Sequence, residues 1–118
     1  MPKRRKNPQT QVTATIAIPP VQALHLGDGM PVLLEFQSPY CLACMAAKPA
    51  VDSLEQRYAG KLIVLRLNLQ EAAGRKLSTR FGAGFTPTFV LLDGAGQIQW
   101  RRVGALDPAE VEQSLGAP

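Results

Sequence analysis

The sequence predicts a single α/β domain with a central β-sheet flanked by helices. Apolar runs with strand patterns alternate with segments whose apolar residues recur every three or four positions, and the last two strands are joined by a tight turn. The chain has 118 residues, of which 46% are hydrophobic and 19% are charged, as in an ordinary globular domain. This composition excludes collagen-like, mucin-like and fully disordered chains.

The net charge of +4 is concentrated at the start of the chain, because Lys3-Arg4-Arg5-Lys6 accounts for all of it. We therefore expect residues 1–11 to form a flexible basic tail and residues 12–118 to form the domain. A nucleic-acid-binding protein would carry basic residues across its folded elements. No nucleic-acid partner is expected.

Residues 12–24 follow this basic cluster, as the apolar segment of an export signal would. Thr13, Thr15, Pro19 and Pro20 interrupt the segment, so it lacks the continuous apolar region of a signal peptide. The chain also has no apolar run of the length that spans a bilayer, so no membrane span is expected. We expect a cytoplasmic protein, with an exported or periplasmic one as the alternative.

The first half of the domain begins with a β-branched run at residues 12–18, which predicts an edge strand. Val21 and Leu24 suggest a short helical turn. Residues 32–36 predict a buried strand, because they are apolar on both faces except at Glu35. The next apolar spacing predicts a helix over residues 41–58, which Pro49 should kink.

The second half begins with a buried strand at residues 62–67, whose polar exception is Arg66. Ala73, Leu77 and Phe81 mark one face of a second helix, which Gly82 should end.

The last elements are a hairpin and a helix. Residues 88–92 predict a strand, the turn Asp93-Gly94-Ala95-Gly96 follows, and Ile98 and Trp100 form the apolar positions of an antiparallel return strand. In Asp107-Pro108-Ala109-Glu110 we expect an N-cap, a proline at the first helical position and a capping-box glutamate, opening a helix that ends near Gly116.

The two cysteines, Cys41 and Cys44, form a C-x-x-C motif at the first turn of the predicted helix. Residues three apart share a helix face, so the sulfurs can form a disulfide, and the helix N-terminus favours a thiolate at Cys41. A zinc site would need about four ligands, and beyond the pair His25 is the one obvious donor, so we expect no metal. Two incidental buried thiols are the other alternative.

Glu35 and Arg66 are the lone charges of two predicted buried strands. Burial should raise the pKa of the Glu35 carboxyl unless a partner offsets it. Arg66 is the expected partner, because adjacent parallel strands would place the two side chains on one face.

Six short motifs follow one another along residues 12–116. They read Leu34-Glu35-Phe36, Cys41-Leu42-Ala43-Cys44, Pro49, Leu65-Arg66-Leu67-Asn68, Phe85-Thr86-Pro87-Thr88 and Val103-Gly104-Ala105-Leu106. In this order they resemble the motifs of the thioredoxin family: a strand with a buried acid, the redox motif, a helix-kinking proline, a strand with a basic residue, a cis-proline loop and a glycine beside the peptide groove.

The resemblance implies a thioredoxin fold, a mixed sheet flanked by helices, and a thiol–disulfide oxidoreductase that reduces protein disulfides. Cys41 would attack the substrate and Cys44 would resolve the mixed disulfide. The other site roles it implies are a general base at Glu35 supported by Arg66, a cis peptide bond before Pro87, and a substrate groove at Tyr40, Phe85, Thr86 and Gly104.

The partners implied are protein disulfides and an unidentified thiol electron donor. No cofactor is expected beyond the Cys41–Cys44 disulfide, and we expect a monomer.

The sequence departs from the family at Gln37 and Tyr40, where tryptophan is common, and at Leu42-Ala43 between the cysteines. A histidine there would favour an oxidant, so its absence favours a reductant. Two alternatives are an exported relative that maintains or isomerises disulfides, and a noncatalytic module that uses the groove to hold a partner.

Overall fold

A computed structural model of the chain describes residues 26–116. The predicted basic tail, the edge strand at residues 12–18 and the helical turn at Val21 and Leu24 lie outside these residues, as does His25. The described part has the predicted order of elements: β1 (Val32–Gln37), α1 (Leu42–Arg57), β2 (Ile63–Asn68), α2 (Ala72–Phe81), β3 (Thr88–Leu92), β4 (Ile98–Val103) and α3 (Pro108–Ser114).

The four described strands form one mixed sheet in the order β2-β1-β3-β4. Strand β1 is parallel to β2 and antiparallel to β3, and β3 is antiparallel to β4. The register places Glu35 directly beside Arg66, as the sequence predicts. Because β1 is paired on both edges, it is apolar along most of its length.

Helices cover both faces of the sheet, so the core has two apolar clusters. Helix α2 covers one face, where the buried side chains include Leu34, Phe36, Leu77, Phe81 and Val90. Helices α1 and α3 cover the other face, where the buried side chains include Leu33, Val51, Leu54, Phe89 and Val111. Successive residues of a strand point to opposite faces, so Glu35 shares the α1 face with Leu33.

Helix α1 begins one residue after Cys41, which is its N-cap, and its C-cap is Tyr58, whose backbone N–H donates to the Leu54 carbonyl at 3.0 Å. Both ends agree with the sequence. Pro49 lies inside the helix, where it cannot donate to the carbonyl of Met45. The kink expected there stays a prediction.

The ends of the other helices confirm most of the capping signals. Gly82 ends α2 in the left-handed conformation, with φ of 64°. Asp107 caps α3 by accepting a hydrogen bond from the Ala109 N–H at 3.0 Å. The capping-box role predicted for Glu110 is wrong, because its carboxylate accepts from the Arg102 guanidinium instead. Helix α3 ends at Ser114, slightly before the expected position.

The hairpin forms at the predicted turn, where Asp93 Oδ1 accepts from the Ala95 and Gln97 N–H groups at 2.9 Å each. The pattern predicted for β4 holds only in part. Trp100 is half-buried and its Nε1–H donates to Ser114 Oγ at 2.9 Å, whereas Ile98 is 52% exposed. Trp100 pairs with Leu91 and Ile98 pairs with Leu92, and the register of the β3–β4 pair shifts between Leu91 and Leu92. This shift breaks the alternation of buried and exposed residues on which the prediction for β4 depended.

Candidate active site

The two cysteines lie at the junction of β1 and α1, where they form a disulfide with a Cα–Cα distance of 5.2 Å. This confirms the pairing that the C-x-x-C spacing predicts.

The two sulfurs differ in exposure. Cys41 is partly exposed, whereas Cys44, one turn into the helix, is only 6% exposed. The Cys41 sulfur also accepts the Cys44 backbone N–H at 3.1 Å. A helix N-terminus carries unpaired N–H groups and positive potential, so a thiolate at Cys41 is stabilised when the disulfide is reduced.

The loop before β3 lies against the segment that leads to Cys41. The Thr86–Pro87 peptide bond is cis, as the sequence predicts. Thr86 Oγ1 lies 3.3 Å from Ser38 Oγ, just after β1. The loop is held further by the Gly104 N–H, which donates to the Pro87 carbonyl at 2.9 Å. Thr86, Pro87 and Gly104 are therefore linked in one loop region, which contacts the segment before Cys41 through Ser38.

Four exposed apolar side chains lie either in the segment around the disulfide or in the loop before β3. Tyr40 is 98% exposed and Phe85 is 74% exposed, so both rings are free for contact with a partner. Leu42 and Met45 are 79% and 64% exposed. Leu42 was not among the groove residues predicted from the sequence, although its position between the cysteines was the signal that could have identified it.

A cleft of about 320 Å³ opens beside the buried sulfur. Its walls come from β1, β2, the first two turns of α1 and the loop between β1 and α1. They comprise Glu35, Gln37, Ser38, Pro39, Tyr40, Cys41, Cys44, Met45, Lys48, Arg66 and Asn68. Glu35 and Cys44 therefore line the same cleft.

Glu35 is the buried acid of this cleft, since it is only 2% exposed. Burial raises the pKa of its carboxyl, and the positive charge of Arg66 offsets part of that rise. Arg66 Nε lies 4.0 Å from Glu35 Oε1, which is an ion pair beyond hydrogen-bond distance. Both the direction of the pKa change and the partner agree with the sequence-based expectation.

Three further charges of the site were missed in the sequence analysis. Lys48, Asp52 and Glu55 lie on one face of α1, and their spacing of four and three residues was the signal that could have identified them. Arg66 Nη2 donates to Asp52 Oδ1 at 2.7 Å and to Glu55 Oε1 at 3.1 Å. Arg66 thus joins β2 to the helix that carries the cysteines.

Within residues 26–116, no cluster of His, Cys, Asp and Glu side chains has the geometry to hold a metal ion. The helices of the same range are too short or too polar to cross a membrane.

Comparison with known proteins places this site in a family, because residues 22–117 match the family model described as a thioredoxin-like domain. The chain belongs to the thioredoxin family. The match includes the redox motif, the cis-proline loop and the Glu35–Arg66 pair.

Two curated thioredoxins are similar to this chain over most of their length. Thioredoxin 1 of Nostoc is 30% identical over 90 residues, which cover 76% of this chain and 81% of that protein. Thioredoxin of Haemophilus influenzae is 28% identical over 100 residues, covering 76% of this chain and 91% of that protein.

A solved structure with the same fold is the germline-specific thioredoxin Deadhead of Drosophila melanogaster. It superposes with a TM-score of 0.64 at 24% identity, over 76% of this chain and 82% of that one. With its Cys41–Cys44 disulfide and its thioredoxin relatives, the chain is a thiol–disulfide oxidoreductase.

Proposed function

We propose that this thioredoxin-family chain reduces protein disulfides, with Cys41 as the attacking thiol and Cys44 as the resolving thiol. In the first step, the Cys41 thiolate attacks one substrate sulfur, forms a mixed disulfide and releases the other substrate sulfur as a thiolate. In the second step, Cys44 attacks the Cys41 sulfur and releases the second substrate thiol. The products are a reduced substrate and the Cys41–Cys44 disulfide.

The single observation that carries this assignment is the difference between the two cysteines. An incoming disulfide reaches the partly exposed Cys41 sulfur more readily than the buried Cys44 sulfur. The N–H groups at the start of α1 also favour a thiolate at Cys41, so this thiol is reactive near neutral pH.

The proton of Cys44 must leave before Cys44 can attack, and Glu35 is the base that we assign to it. Glu35 and Cys44 line one cleft, and burial raises the pKa of Glu35 toward the range in which a carboxylate is an effective base. The positive charge of Arg66 offsets part of this rise in pKa, which favours the ionised carboxylate that can accept a proton.

Substrate recognition is assigned to the surface around the cis-proline loop. Tyr40 and Phe85 supply exposed aromatic rings, and Thr86 supplies backbone groups in the loop that Gly104 holds by donating its N–H to the Pro87 carbonyl. An extended peptide could pair with this backbone as an added strand, which recognises main chain rather than sequence.

The reductive direction is supported by Leu42 and Ala43, since neither adds a positive charge that would stabilise the reduced motif. A reductant needs a thiol donor to regenerate its dithiol. Such donors are abundant in the cytosol, so we propose that this protein is cytoplasmic. We also propose that it is a monomer. Cell fractionation and analytical ultracentrifugation test the location and the oligomeric state.

The test of the proposed activity is insulin reduction in the presence of dithiothreitol. The wild-type chain should accelerate turbidity over the dithiothreitol blank, and no acceleration would identify a noncatalytic binding module instead.

The roles of the two cysteines are tested by trapping mixed disulfides. Cys44→Ser should accumulate mixed disulfides with client proteins, whereas Cys41→Ser should not. Equal trapping by the two variants would contradict the assigned roles.

A further inference from the structure

Arg66 contacts acids on two sides, and the two contacts are unequal. Its terminal nitrogen donates hydrogen bonds to Asp52 at 2.7 Å and to Glu55 at 3.1 Å, both on α1. Its Nε lies 4.0 Å from Glu35, too far for a hydrogen bond. The guanidinium is therefore held by the helix and not by the buried acid.

The charges around Glu35 balance when its carboxyl is neutral. The two facing cations are Arg66 on β2 and Lys48 on α1, whose ammonium lies 2.7 Å from Asp52. Asp52 and Glu55 supply two matching negative charges. Glu35 is therefore the surplus acid of the cluster.

No other described charge faces this cluster. The neighbouring strand β3 carries no titratable side chain. The acids of α3 pair elsewhere, Glu110 with Arg102 and Glu112 with Arg57.

We propose that Asp52 is a positioning residue that draws the Arg66 guanidinium toward α1 and prevents it from donating a hydrogen bond to Glu35. Glu35 is thereby kept available to take up the Cys44 proton, a consequence that rests on the proposed function. Asp52 itself does not line the cleft. It acts on the site by holding Arg66 and by its own negative charge.

The electrostatics of Glu35 agree with this placement. Burial has the largest effect and raises the pKa of the carboxyl, Arg66 and Lys48 lower it, and Asp52 raises it. In Asp52→Asn the side chain keeps its shape but loses its charge. Arg66 and Lys48 would then share Glu35 as a counterion, so the pKa of Glu35 should fall.

The direct test is a ¹³C NMR titration of the Glu35 side-chain carboxyl in the full-length oxidised chain. In Asp52→Asn its midpoint should move to lower pH, and in Asp52→Glu it should return toward the wild-type value. The control is Glu112→Gln, which removes an acid that forms a surface ion pair with Arg57, a residue of α1. This variant should leave the Glu35 midpoint unchanged. An unchanged midpoint in Asp52→Asn, with Arg66 still folded against α1, would overturn the proposal.

The kinetic test is the pH profile of mixed-disulfide resolution, followed by stopped flow. Asp52→Asn should move the acid limb of the resolution rate to lower pH and lower its plateau, because a weaker base accepts the proton less readily. In a Glu35→Gln background the same substitution should move neither feature. A shift that persists without Glu35 would contradict the proposal.

The two tests separate the inference from the proposed function. If the wild-type chain fails to reduce insulin while the NMR midpoint still shifts in Asp52→Asn, the proposed function is overturned and the placement of Arg66 by Asp52 stands. If insulin reduction is normal but the midpoint does not move, the inference is overturned and the proposed function stands.

Discussion

Tyr40 occupies a backbone conformation that non-glycine residues rarely adopt, with φ of 63°. This left-handed conformation costs about 1–2 kcal/mol for a residue with a Cβ. The ring recovers little of that cost by packing, because Tyr40 is 98% exposed. Backbone strain often occurs at ligand contacts, which agrees with the substrate contact proposed above for the Tyr40 ring.

This strain predicts an unusual order of stabilities for two variants. The free energy of unfolding should be about 1 kcal/mol larger for Tyr40→Gly than for Tyr40→Ala, because glycine adopts positive φ without a Cβ penalty. At an ordinary position alanine would be the more stable of the two. Urea denaturation of the oxidised proteins measures the difference, and a more stable alanine variant would contradict the strain argument.

Both Tyr40 variants should also raise the KM for insulin to a similar extent, because both remove the ring. A Tyr40→Phe variant, which keeps the ring, is the matched control and should retain the wild-type KM. If the glycine and alanine variants also retain it, the ring does not contribute to substrate binding.

The residues of the site could be predicted from the sequence where local chemistry was sufficient. The Glu35–Arg66 pair follows from two lone charges on adjacent buried strands, and the structure places them in register. The roles of Asp52 and Glu55 could not be predicted in the same way. Helical acids normally face solvent, and only the packing of α1 on the sheet brings them within 3.1 Å of Arg66.

At the scale of elements, the strand and helix bounds were predictable because capping residues mark them, as Cys41, Gly82 and Asp107 show. The errors arose where tertiary contacts decide. A register shift in the β3–β4 pair exposes Ile98, and a cross-element ion pair with Arg102 removes Glu110 from its expected cap. Neither effect has a local sequence signal.

Helix α2 approaches the sheet so closely that one of its positions has no room for a side chain. A Cβ on Gly74 would overlap the carbonyl oxygen of Asn68 and lie 2.7 Å from its carbonyl carbon. The contact is with backbone, so it cannot be relieved by a rotamer change. Gly74 therefore sets the distance between α2 and the end of β2.

Gly74→Ala should lower the free energy of unfolding by about 1–3 kcal/mol, because α2 must move away from β2 to admit the methyl group. Glycine to alanine inside a helix ordinarily stabilises by about 0.5–1 kcal/mol, so the sign is diagnostic. Gly84→Ala is the control, since a Cβ there meets no atom within 4 Å. The control should change the unfolding free energy by less than about 0.5 kcal/mol. A stabilised Gly74→Ala would show that the helix is less closely packed than described.

For the whole molecule, two acids of the site make stability depend on pH in opposite directions. Burial raises the folded-state pKa of Glu35 above its ordinary value of 4.5, so the folded state binds more protons than the unfolded state above that pH. Stability should therefore fall as pH rises from 4.5 through the folded-state pKa. Hydrogen bonds from Lys48 and Arg66 lower the pKa of Asp52 below 3.8, so its contribution is lost as pH falls through that lower pKa.

Replacing Glu35 isolates the first of these two effects. Glu35→Gln fills the same space without a buried charge, so it should stabilise the oxidised chain by about 1–3 kcal/mol at neutral pH. As pH falls below 4.5, the Glu35 carboxyl becomes protonated in the unfolded chain as well as in the folded chain, so the gain should shrink toward zero. Urea denaturation of both proteins between about pH 4 and pH 8 measures the difference, with Glu112→Gln as a surface control that should show no such trend.

A stability difference that stays constant with pH would show that the Glu35 carboxyl has the same pKa in the folded and unfolded chains. A gain that grows with pH would show that the fold holds its buried acid at the expense of its own stability, as expected of a group retained for proton transfer.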